Sequence, residues 1–534
     1  AWLCAAAFHH GSAWMTTLAP VRFSPVLPAF REIRKAGVSS ALNWSTSSRR
    51  FFLGVEPVMV GSSSPAAQML VLEGMTHLLT FGDMRAFLKF DAALRLDPDC
   101  LMAHWGRCMS LMGAGPAFQD QRVHSMKRMK ELALRPDCPE RERAYADALA
   151  VLLMDGPVKA REAWKTICST WKRDPYAPLF YAMLLRDGFD GQGNPGEGQK
   201  EAVRVVEGVL KERPGSQAAL FMRALLEEVA PSISPATVET ARRAVSANPF
   251  SASAHHLLGH CLFRTGDYEG ASAAFKESEN LCLAWEKAEN VSPALDDAYF
   301  RSILYRAVSE FCAGRYKRAE AIASRAASVP LDKKHPLAPG TLLQLWEART
   351  LPARLMLARP GLPRQALVLK AFPGPLPKGF PDLSNGMTAV ASQYMGACYA
   401  ARQGRTDAVA SAFDKMSGIL RLLMDGADAA RRQMSVSYWA RCLQAGSLYS
   451  SEIRSLMFPD SANVWMSEAI RSQRFSSLLL PPVVPYPAEW VLARAYLKAG
   501  KFRECADMCE QALKRFPNHA GVLETLDKAR SSGK

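Results

Sequence analysis

The chain has 534 residues, of which 49% are hydrophobic and 22% are charged, and these fractions exclude a disordered or fibrous protein. Lys and Arg outnumber Asp and Glu by 66 to 51, which corresponds to a net charge of +15. Because the bases are interspersed with acids and form no stripe with aromatic residues, we find no clear nucleic-acid signal, and the charge favours an acidic protein or peptide as partner. No apolar run approaches the length of a membrane-spanning helix, so no transmembrane segment is predicted.

Residues 1–60 are predicted to form a flexible tail or the remnant of a targeting segment. They are rich in Ser, Pro and Arg and show no sustained helical or strand period. The apolar stretch 2–8 resembles part of a signal peptide, whereas the acid-poor stretch 16–52 resembles a mitochondrial presequence. An exported or envelope location and a mitochondrial one therefore stay open.

A repeated motif follows the tail, and its clearest copy lies in residues 251–275. There, Gly259 precedes the turn at Gly266, and Ala271 and Phe275 follow that turn. Small residues let two antiparallel helices approach closely, and a large ring fills the space between them. This spacing predicts a helical hairpin with its closest contact at Gly259 and Ala271.

Further copies of the motif are predicted on both sides of this one. They run through residues 74–98, 305–326, 394–413 and 490–517, and prolines follow several of the second helices. The copy at 394–413 uses Gly396, Gly404, Ala408 and Phe413. These copies predict an N-terminal array over 61–329 and a C-terminal array over 387–530.

A Pro-rich helical insertion over 330–386 is predicted to separate the two arrays. Residues 330–381 contain ten prolines around two helical pieces, 341–351 and 364–372, and Pro352 is expected to end or kink the first piece. A second Pro-rich run, 475–487, is predicted to be an extended segment lying along the helices. Either insertion could brace the fold or carry a function.

The twelve cysteines favour a reducing compartment such as the cytoplasm, because they occur singly and include no CxxC pair. In a chain of this length they are predicted to be small buried side chains. Cys505 and Cys509 fall on packing positions of the last repeat, which accounts for their spacing without a metal or a disulfide.

With these motifs, the chain resembles tetratricopeptide-repeat (TPR) proteins, and in particular a broad bacterial group of them. The likeness extends over about residues 53–529, including Pro65–Gln68, Phe90–Gly106, Ala252–His260 and Pro481-Pro482 before Trp490. The resemblance implies an all-α TPR solenoid, a superhelix of antiparallel helix pairs, here with Pro-rich insertions. It also implies a non-catalytic scaffold that binds proteins or peptides and needs no cofactor.

The resemblance also implies which side chains face the concave groove of such a superhelix. These are positions 2, 5, 9 and 12 of each first helix, which in the central copy are Ser253, His256, His260 and Phe263. A groove lined by Met and Trp suits an adaptable apolar peptide, unless neighbouring helices or the insertions fill it. The predicted binding residues are His256, His260, Phe263, Trp105, Met109, Trp490 and Arg494.

Two alternatives to a binding scaffold stay open. His256 and His260 are four residues apart, a spacing that can share a metal ion, so a metal-dependent enzyme or hydrolase could use them, for example with His335. A third ligand is not evident nearby, and HExxH, GxSxG, P-loop and GxGxxG motifs are missing. The other alternative is a purely structural subunit, and the oligomeric state is left open.

Overall fold

The structure, a computed structural model, describes residues 56, 58–112, 118–426, 436–473 and 480–533. Within these ranges the chain is built from helices and contains no β-strand, only an isolated bridge between Phe189 and Pro195. The predicted all-α fold of TPR helix pairs is confirmed. Most of the predicted tail, and residues 475–479 of the second Pro-rich run, lie outside the described residues.

The chain forms two compact units. Unit 1 comprises residues up to 258 together with 281–292, and unit 2 comprises 259–280 together with the residues from 293 onward. The predicted segments 61–329, 330–386 and 387–530 divide the chain by its repeat motifs and not by spatial contact. That division therefore stays a prediction. Unit 1 contains α1 Pro65–Leu79, α2 Asp83–Leu96, α3 Leu101–Ser110, α4 Gln119–Ala133, α5 Glu140–Asp155, α6 Pro157–Thr170, α7 Ala177–Leu185, α8 Glu197–Glu212, α9 Gln217–Glu228 and α10 Pro235–Ala247.

Two helices contribute residues to both units, namely α11 Ala252–Arg264 and α12 Tyr268–Glu289. The remaining helices belong to unit 2, which also contains a 3-10 turn at Pro459–Ser461. These helices are α13 Ala298–Cys312, α14 Tyr316–Ala327, α15 Pro339–Leu343, α16 Arg349–Ala358, α17 Gln365–Ala371, α18 Asp382–Arg402, α19 Thr406–Asp425, α20 Val436–Met457, α21 Ala462–Ser472, α22 Ala488–Lys498, α23 Phe502–Arg515 and α24 Ala520–Ser532.

The first helix of a pair turns into the second through one residue with left-handed backbone geometry. Gly266, Gly314, Gly404 and Gly500 have φ angles of 80°, 77°, 70° and 71°. Glycine adopts these angles without the steric cost that a Cβ brings. In the first pair the same role falls to Phe81, with a φ of 60°, one residue before the glycine that the motif places at this turn.

Close helix contacts occur where a glycine faces an aromatic ring. A Cβ added at Gly74 would lie 2.7 Å from the ring of Phe90, and one at Gly106 would lie 2.2 Å from the same ring. A Cβ added at Gly259 would lie 2.8 Å from the ring of Phe275. The predicted contact at Gly259 is therefore confirmed, and the first two glycines let one ring sit between α1 and α3.

The copy at 394–413 departs from the predicted register. Gly396 has no atom within 4 Å of an added Cβ, so the pattern is wrong in placing it at a helix contact. Gly259 lies seven residues before its left-handed turn residue, but Gly396 lies eight before Gly404. One residue rotates a helix by about 100°, and the position seven before Gly404 belongs to the fully buried Ala397.

The first helical piece of the insertion runs longer than predicted. α15 continues through a π-helical turn at Gln344–Ala348 into α16, so the chain stays helical past Pro352 to Ala358. Proline lacks an N–H and clashes with the carbonyl four residues earlier, and a wider turn relieves that clash. The second piece is helical as predicted, over Gln365–Ala371.

The described end of the second Pro-rich run, residues 480–487, is neither helix nor strand and bends at residues 483–486, so it is less extended than predicted, and it is buried in unit 2. Val483, Val484 and Tyr486 are each at most 3% exposed. Side chains of the surrounding helices donate to its carbonyls, from Arg354 Nη1 to Val483 at 2.6 Å and from Gln473 Nε2 to Tyr486 at 2.5 Å. The segment therefore fills the interior of unit 2 in the way that a bound peptide would.

Candidate functional site

The structure places two of the predicted binding residues in the core of unit 1. The side chain of Trp105 is fully buried and donates its indole N–H to the backbone oxygen of Tyr145 at 3.0 Å. Its ring also packs edge-on against Phe180, with the ring centroids 5.2 Å apart. Met109, one helical turn further along α3, is 6% exposed.

Four further predicted residues lie in unit 2. His260 is fully buried with its ring 5.3 Å from that of Tyr305, and Phe263 packs against the same tyrosine at 5.4 Å. Trp490 is 1% exposed, and the guanidinium of Arg494 lies 4.5 Å above its ring. Thus His260 and Phe263 come together, as do Trp490 and Arg494.

Two contacts place these pairs in one neighbourhood of unit 2. The ring centroids of Phe263 and Phe516 are 6.4 Å apart. His519 lies three residues after Phe516, and its ring centroid is 5.2 Å from that of Trp490. Whether any of these residues binds a partner is not tested by their burial, and their assignment stays a prediction.

The predicted histidine pair occupies positions i and i+4 of α11. Among the described residues no group of three or more His, Cys, Asp or Glu side chains is arranged to hold a metal ion. The suggested third residue, His335, donates its Nδ1–H to the carboxylate oxygen Oδ2 of Asp332 at 2.8 Å. The described residues therefore offer no set of metal ligands around His256 and His260, and the metal hypothesis stays a prediction.

A polar cleft in unit 1, which sequence reasoning missed, has an interior of about 30 Å³, and the empty space around it reaches about 490 Å³ when the solvent at its open mouth is included. Side chains of α1, α2, α9 and α12 line it, together with the start of α11 and the loop before it. Among them is Ser253, a position predicted to face the concave groove. The lining residues are Glu73, Thr76, His77, Thr80, Arg85, Gln217, Asn248, Phe250, Ser251, Ala252, Ser253 and Trp285.

An ion network fixes one wall of this cleft. Lys89 Nζ lies 3.1 Å from a carboxylate oxygen of Glu73 and 3.0 Å from one of Glu289. Burial raises the pKa of Glu73, against the attraction of Lys89. Burial acts to lower the pKa of Lys89, but the two carboxylates outweigh it and raise that pKa. The ammonium ion thus joins α2 to α1 and to the end of α12.

The histidine of the cleft is neutral at physiological pH. Burial lowers the pKa of His77 to about 3, and the positive charges of Arg85 and Lys89 act in the same direction. A neutral imidazole can donate from one ring nitrogen and accept at the other. His77 therefore adds hydrogen-bonding capacity to the cleft without adding charge.

Two buried polar atoms of the cleft have no hydrogen-bond partner within the described chain. They are the indole N–H of Trp285, which is 2% exposed, and the side-chain oxygen of Gln217, which is 1% exposed. Gln217 donates through Nε2 to Ser251 Oγ at 3.3 Å, which orients its amide. The guanidinium of Arg85 lies 4.5 Å above the ring of Trp285.

The two atoms offer a ligand one hydrogen-bond donor, on Trp285, and one acceptor, on Gln217. A peptide or carboxamide group can pair with both, through its C=O and its N–H. No sequence motif marks the cleft, because its residues are brought together from positions 73–89, 217, 248–253 and 285–289 by the packing of helices distant in sequence.

Comparison with known proteins identifies one segment directly. Residues 238–280 match the family model of the tetratricopeptide repeat, and they span most of α10, all of α11 and the first part of α12. The predicted resemblance to TPR proteins is confirmed by this match. A search of curated proteins found no match. None of the described helices is long and apolar enough to cross a membrane.

Several solved structures resemble the chain at low sequence identity. They include the APC/C hetero-tetramer Cut9-Hcn1 (12% identity, TM-score 0.35, covering 94% of this chain and 82% of that one). Yeast Tom70 has 11% identity and a TM-score of 0.31, and the match covers 94% of this chain and 96% of that one. The TPR domain of P58(IPK) has 14% identity and a TM-score of 0.21, and the match covers 87% of this chain and 98% of that one. TM-scores of this size do not establish a shared overall arrangement of the helices.

Proposed function

We propose that this TPR chain is a non-catalytic scaffold that binds a segment of a partner protein in the cleft of unit 1. TPR repeats generally mediate protein–protein interactions, and members of the family are typically non-catalytic. The fold thus favours protein partners, and the cleft supplies the specific contact.

The observation that carries the proposal is the pair of unpartnered atoms on Trp285 and Gln217. A buried polar atom without a partner costs roughly 1–3 kcal/mol, so a ligand that satisfies it gains correspondingly. A backbone peptide group supplies the missing acceptor and donor together. The hydroxyl groups of Ser251 and Ser253 at the mouth suit a chain that continues past the cleft.

Among the predicted groove residues we retain His256 as a contact for this segment. It lies three residues beyond Ser253 on α11, and residues three apart share one side of a helix. Its side chain is largely buried, with 8% exposed. No observation favours the metal-dependent enzyme, and we do not propose it.

Site-specific photo-crosslinking tests the proposal. A benzophenone amino acid at Ser253, introduced in the native host, should crosslink a protein partner that mass spectrometry can identify. The same group at Ser324, an exposed position on α14, should not capture that partner. If Ser253 captures no protein, or both positions capture the same set, the proposed function is wrong.

A matched pair of tryptophan variants tests the role of the indole N–H. Trp285→Phe keeps the ring but removes the donor, and it should weaken partner binding about fivefold, the effect of one hydrogen bond. Trp346 in unit 2 is the control, because its N–H also lacks a partner and Arg354 lies 4.9 Å above its ring. Trp346→Phe should leave partner binding unchanged.

A further inference from the structure

The Pro-rich insertion contains a stretch in which every charged residue is basic. Residues 348–381 include six bases and no Asp or Glu, although acids are frequent elsewhere in the chain. Such a stretch concentrates positive potential wherever the fold leaves its side chains at the surface. The six bases are Arg349, Arg354, Arg359, Arg364, Lys370 and Lys378.

Among the described residues, carboxylates lie beside two of these bases. Arg354 lies 3.4 Å from Glu347, and Arg359 lies 2.8 Å from Glu320. The side chains of Arg364, Lys370 and Lys378 are exposed, and in the described part of the chain they make neither an ion pair nor a hydrogen bond. Their charges are therefore available to a partner.

A neighbouring helix adds to this positive surface. Arg402, at the end of α18, donates to the backbone oxygen of Leu362 at 2.7 Å, which places a further cation beside the start of α17. The hydroxyl of Tyr399 donates to the backbone oxygen of Pro363 at 2.7 Å. These two bonds hold the segment before α17 through backbone atoms, and no carboxylate of the described residues pairs with Arg402.

α17 is fixed in place by one side chain and exposes its others. Val368 is fully buried in a cluster with Ala353, Met395 and Tyr399. Leu367 is 53% exposed and Leu369 is 50% exposed, on either side of the buried valine. Two half-exposed leucines on one short helix are an apolar surface that the described part of unit 2 does not cover.

Helical spacing aligns the charges with one of these leucines. Arg364 is the N-cap residue just before α17, and Leu367 and Lys370 follow it at successive intervals of three residues. Each interval corresponds to a rise of about 4.5 Å and a rotation of about 60°, so each residue neighbours the next around the helix. We call these three residues the basic ridge. It presents a cation, an apolar side chain and a second cation in that order.

We propose that the basic ridge docks an acidic amphipathic helix of the partner protein, an inference that rests on the proposed function. Charge complementarity selects this occupant: carboxylates one turn to either side of an apolar residue would meet Arg364 and Lys370 while that residue covers Leu367. Exposed ion pairs contribute little each, so the leucine contact supplies affinity while the charges orient the partner and speed its association.

A designed probe tests the ridge without knowledge of the natural partner. The probe is a synthetic fluorescent helical peptide carrying Glu and Leu at helical spacing, and its counterpart replaces each Glu by Gln. The full chain should bind the Glu peptide more tightly than the Gln peptide, and the difference should shrink as salt is added. Equal binding of the two peptides would overturn the proposal.

Charge reversal locates the binding to the ridge. The Arg364→Glu, Lys370→Glu double variant should bind the Glu peptide about tenfold more weakly, and Leu367→Ser should also weaken it. The control is Lys165→Glu, Lys172→Glu, which reverses two exposed bases of unit 1 and should change the affinity less than twofold. Circular dichroism checks that each variant is folded, and an equal loss in the control would contradict the ridge.

Two other outcomes separate this inference from competing ones. Binding to phosphatidylserine vesicles, with no binding to the Glu peptide, would identify a membrane surface instead and overturn the proposal. If crosslinking at Ser253 still captures a protein partner while the ridge variants bind the Glu peptide normally, the ridge proposal is wrong but the proposed function stands. If Ser253 captures nothing, the proposed function fails whatever the ridge binds.

Discussion

Two helix pairs that share one sequence motif pack differently. The pair formed by α11 and α12 has the ring of Phe275 directly against Gly259, whereas Gly396 of the pair α18 and α19 faces open space. Counted from the left-handed turn residue, the ring stands at the ninth position in both pairs, as Phe275 after Gly266 and as Phe413 after Gly404.

The difference lies in the first helix of each pair. Seven residues before the turn stands Gly259 in one pair and Ala397 in the other. Because a Cβ at Gly259 would lie 2.8 Å from Phe275, a ring cannot approach Ala397 in the same way. Phe413 is instead half-buried, with the guanidinium of Arg454 5.2 Å from its ring. The turn residue sets the register, and a glycine elsewhere in the motif does not.

The largest expected effect is that of removing the two rings. Phe275 is fully buried, so Phe275→Ala should lower the free energy of unfolding by about 3–5 kcal/mol. Phe413→Ala should cost less than about 1.5 kcal/mol, because the ring is half-buried and loses mainly its contact with Arg454. Urea unfolding followed by circular dichroism measures both, and equal losses would show that the two pairs pack alike.

The next largest difference in stability is expected when each of the two glycines is replaced by leucine. Gly259→Leu forces a side chain into the ring of Phe275 and should cost about 1–3 kcal/mol or more. Gly396→Leu adds the same atoms where no atom lies within 4 Å and should not destabilise the protein. Thermal melting of the two variants is the measurement. An unchanged melting temperature in Gly259→Leu would refute the register described for α11 and α12.

A smaller effect of opposite sign is expected for alanine at the open site. Gly396→Ala should stabilise the protein by up to about 1 kcal/mol, because alanine favours a helix interior and meets no neighbour here. Gly259→Ala should destabilise it, since its Cβ would lie 2.8 Å from Phe275. Chemical unfolding of both variants gives the two signs, and a loss of stability in Gly396→Ala would mean that α18 is packed at this position.

The smallest expected effect is a loss of stability at acid pH, and it comes from His519 at the start of α24. Burial lowers the pKa of His519 from 6.5 to about 3. Between these values the unfolded chain binds a proton that the folded chain does not, so stability falls as the pH decreases below about 7. From pH 7 to pH 6 this histidine should cost about 0.7 kcal/mol.

His519→Asn isolates this contribution. Asparagine does not titrate, and it can cap the first turn of α24 as the histidine does for Val522. Unfolding measured at pH 7 and pH 6 should show a smaller loss in the variant than in the parent protein. The pair α18 and α19 contains no histidine, so Phe413→Ala should leave the pH dependence unaltered. Identical pH dependence in His519→Asn and the parent would contradict the neutral buried state.

The local features of this fold could be predicted from the sequence because they depend on neighbouring residues. The helical hairpins, the turn glycines and the contact of Gly259 follow from spacing alone. The pattern misses the helix contact at Gly396 by one residue, because the left-handed residue Gly404 determines the register and places Ala397 at that contact.

The candidate site could not be predicted in the same way, because it depends on contacts between residues far apart in the chain. Arg85 and Trp285 are 200 residues apart, yet they stack at 4.5 Å to line the cleft. The turn at Gly266 similarly lies against Pro517 in unit 2. A motif describes a face of one hairpin and cannot tell which distant helix covers that face, and so the sequence leaves open whether Trp105 and Trp490 line an open groove or are buried.

The buried segment 480–487 has a consequence for how the protein is made. Arg354 and the carbonyl that it holds at Val483 are separated by 129 residues, and Cys312 lies against Pro485 across 173. Contacts between such distant residues slow folding, because long loops must close before any contact forms. During synthesis, helices α13 to α20 leave the ribosome before the segment that fills their interior exists. Unit 2 therefore completes its core only after residues 480–487 have been synthesised, and until then its helices expose the apolar surface that this segment covers.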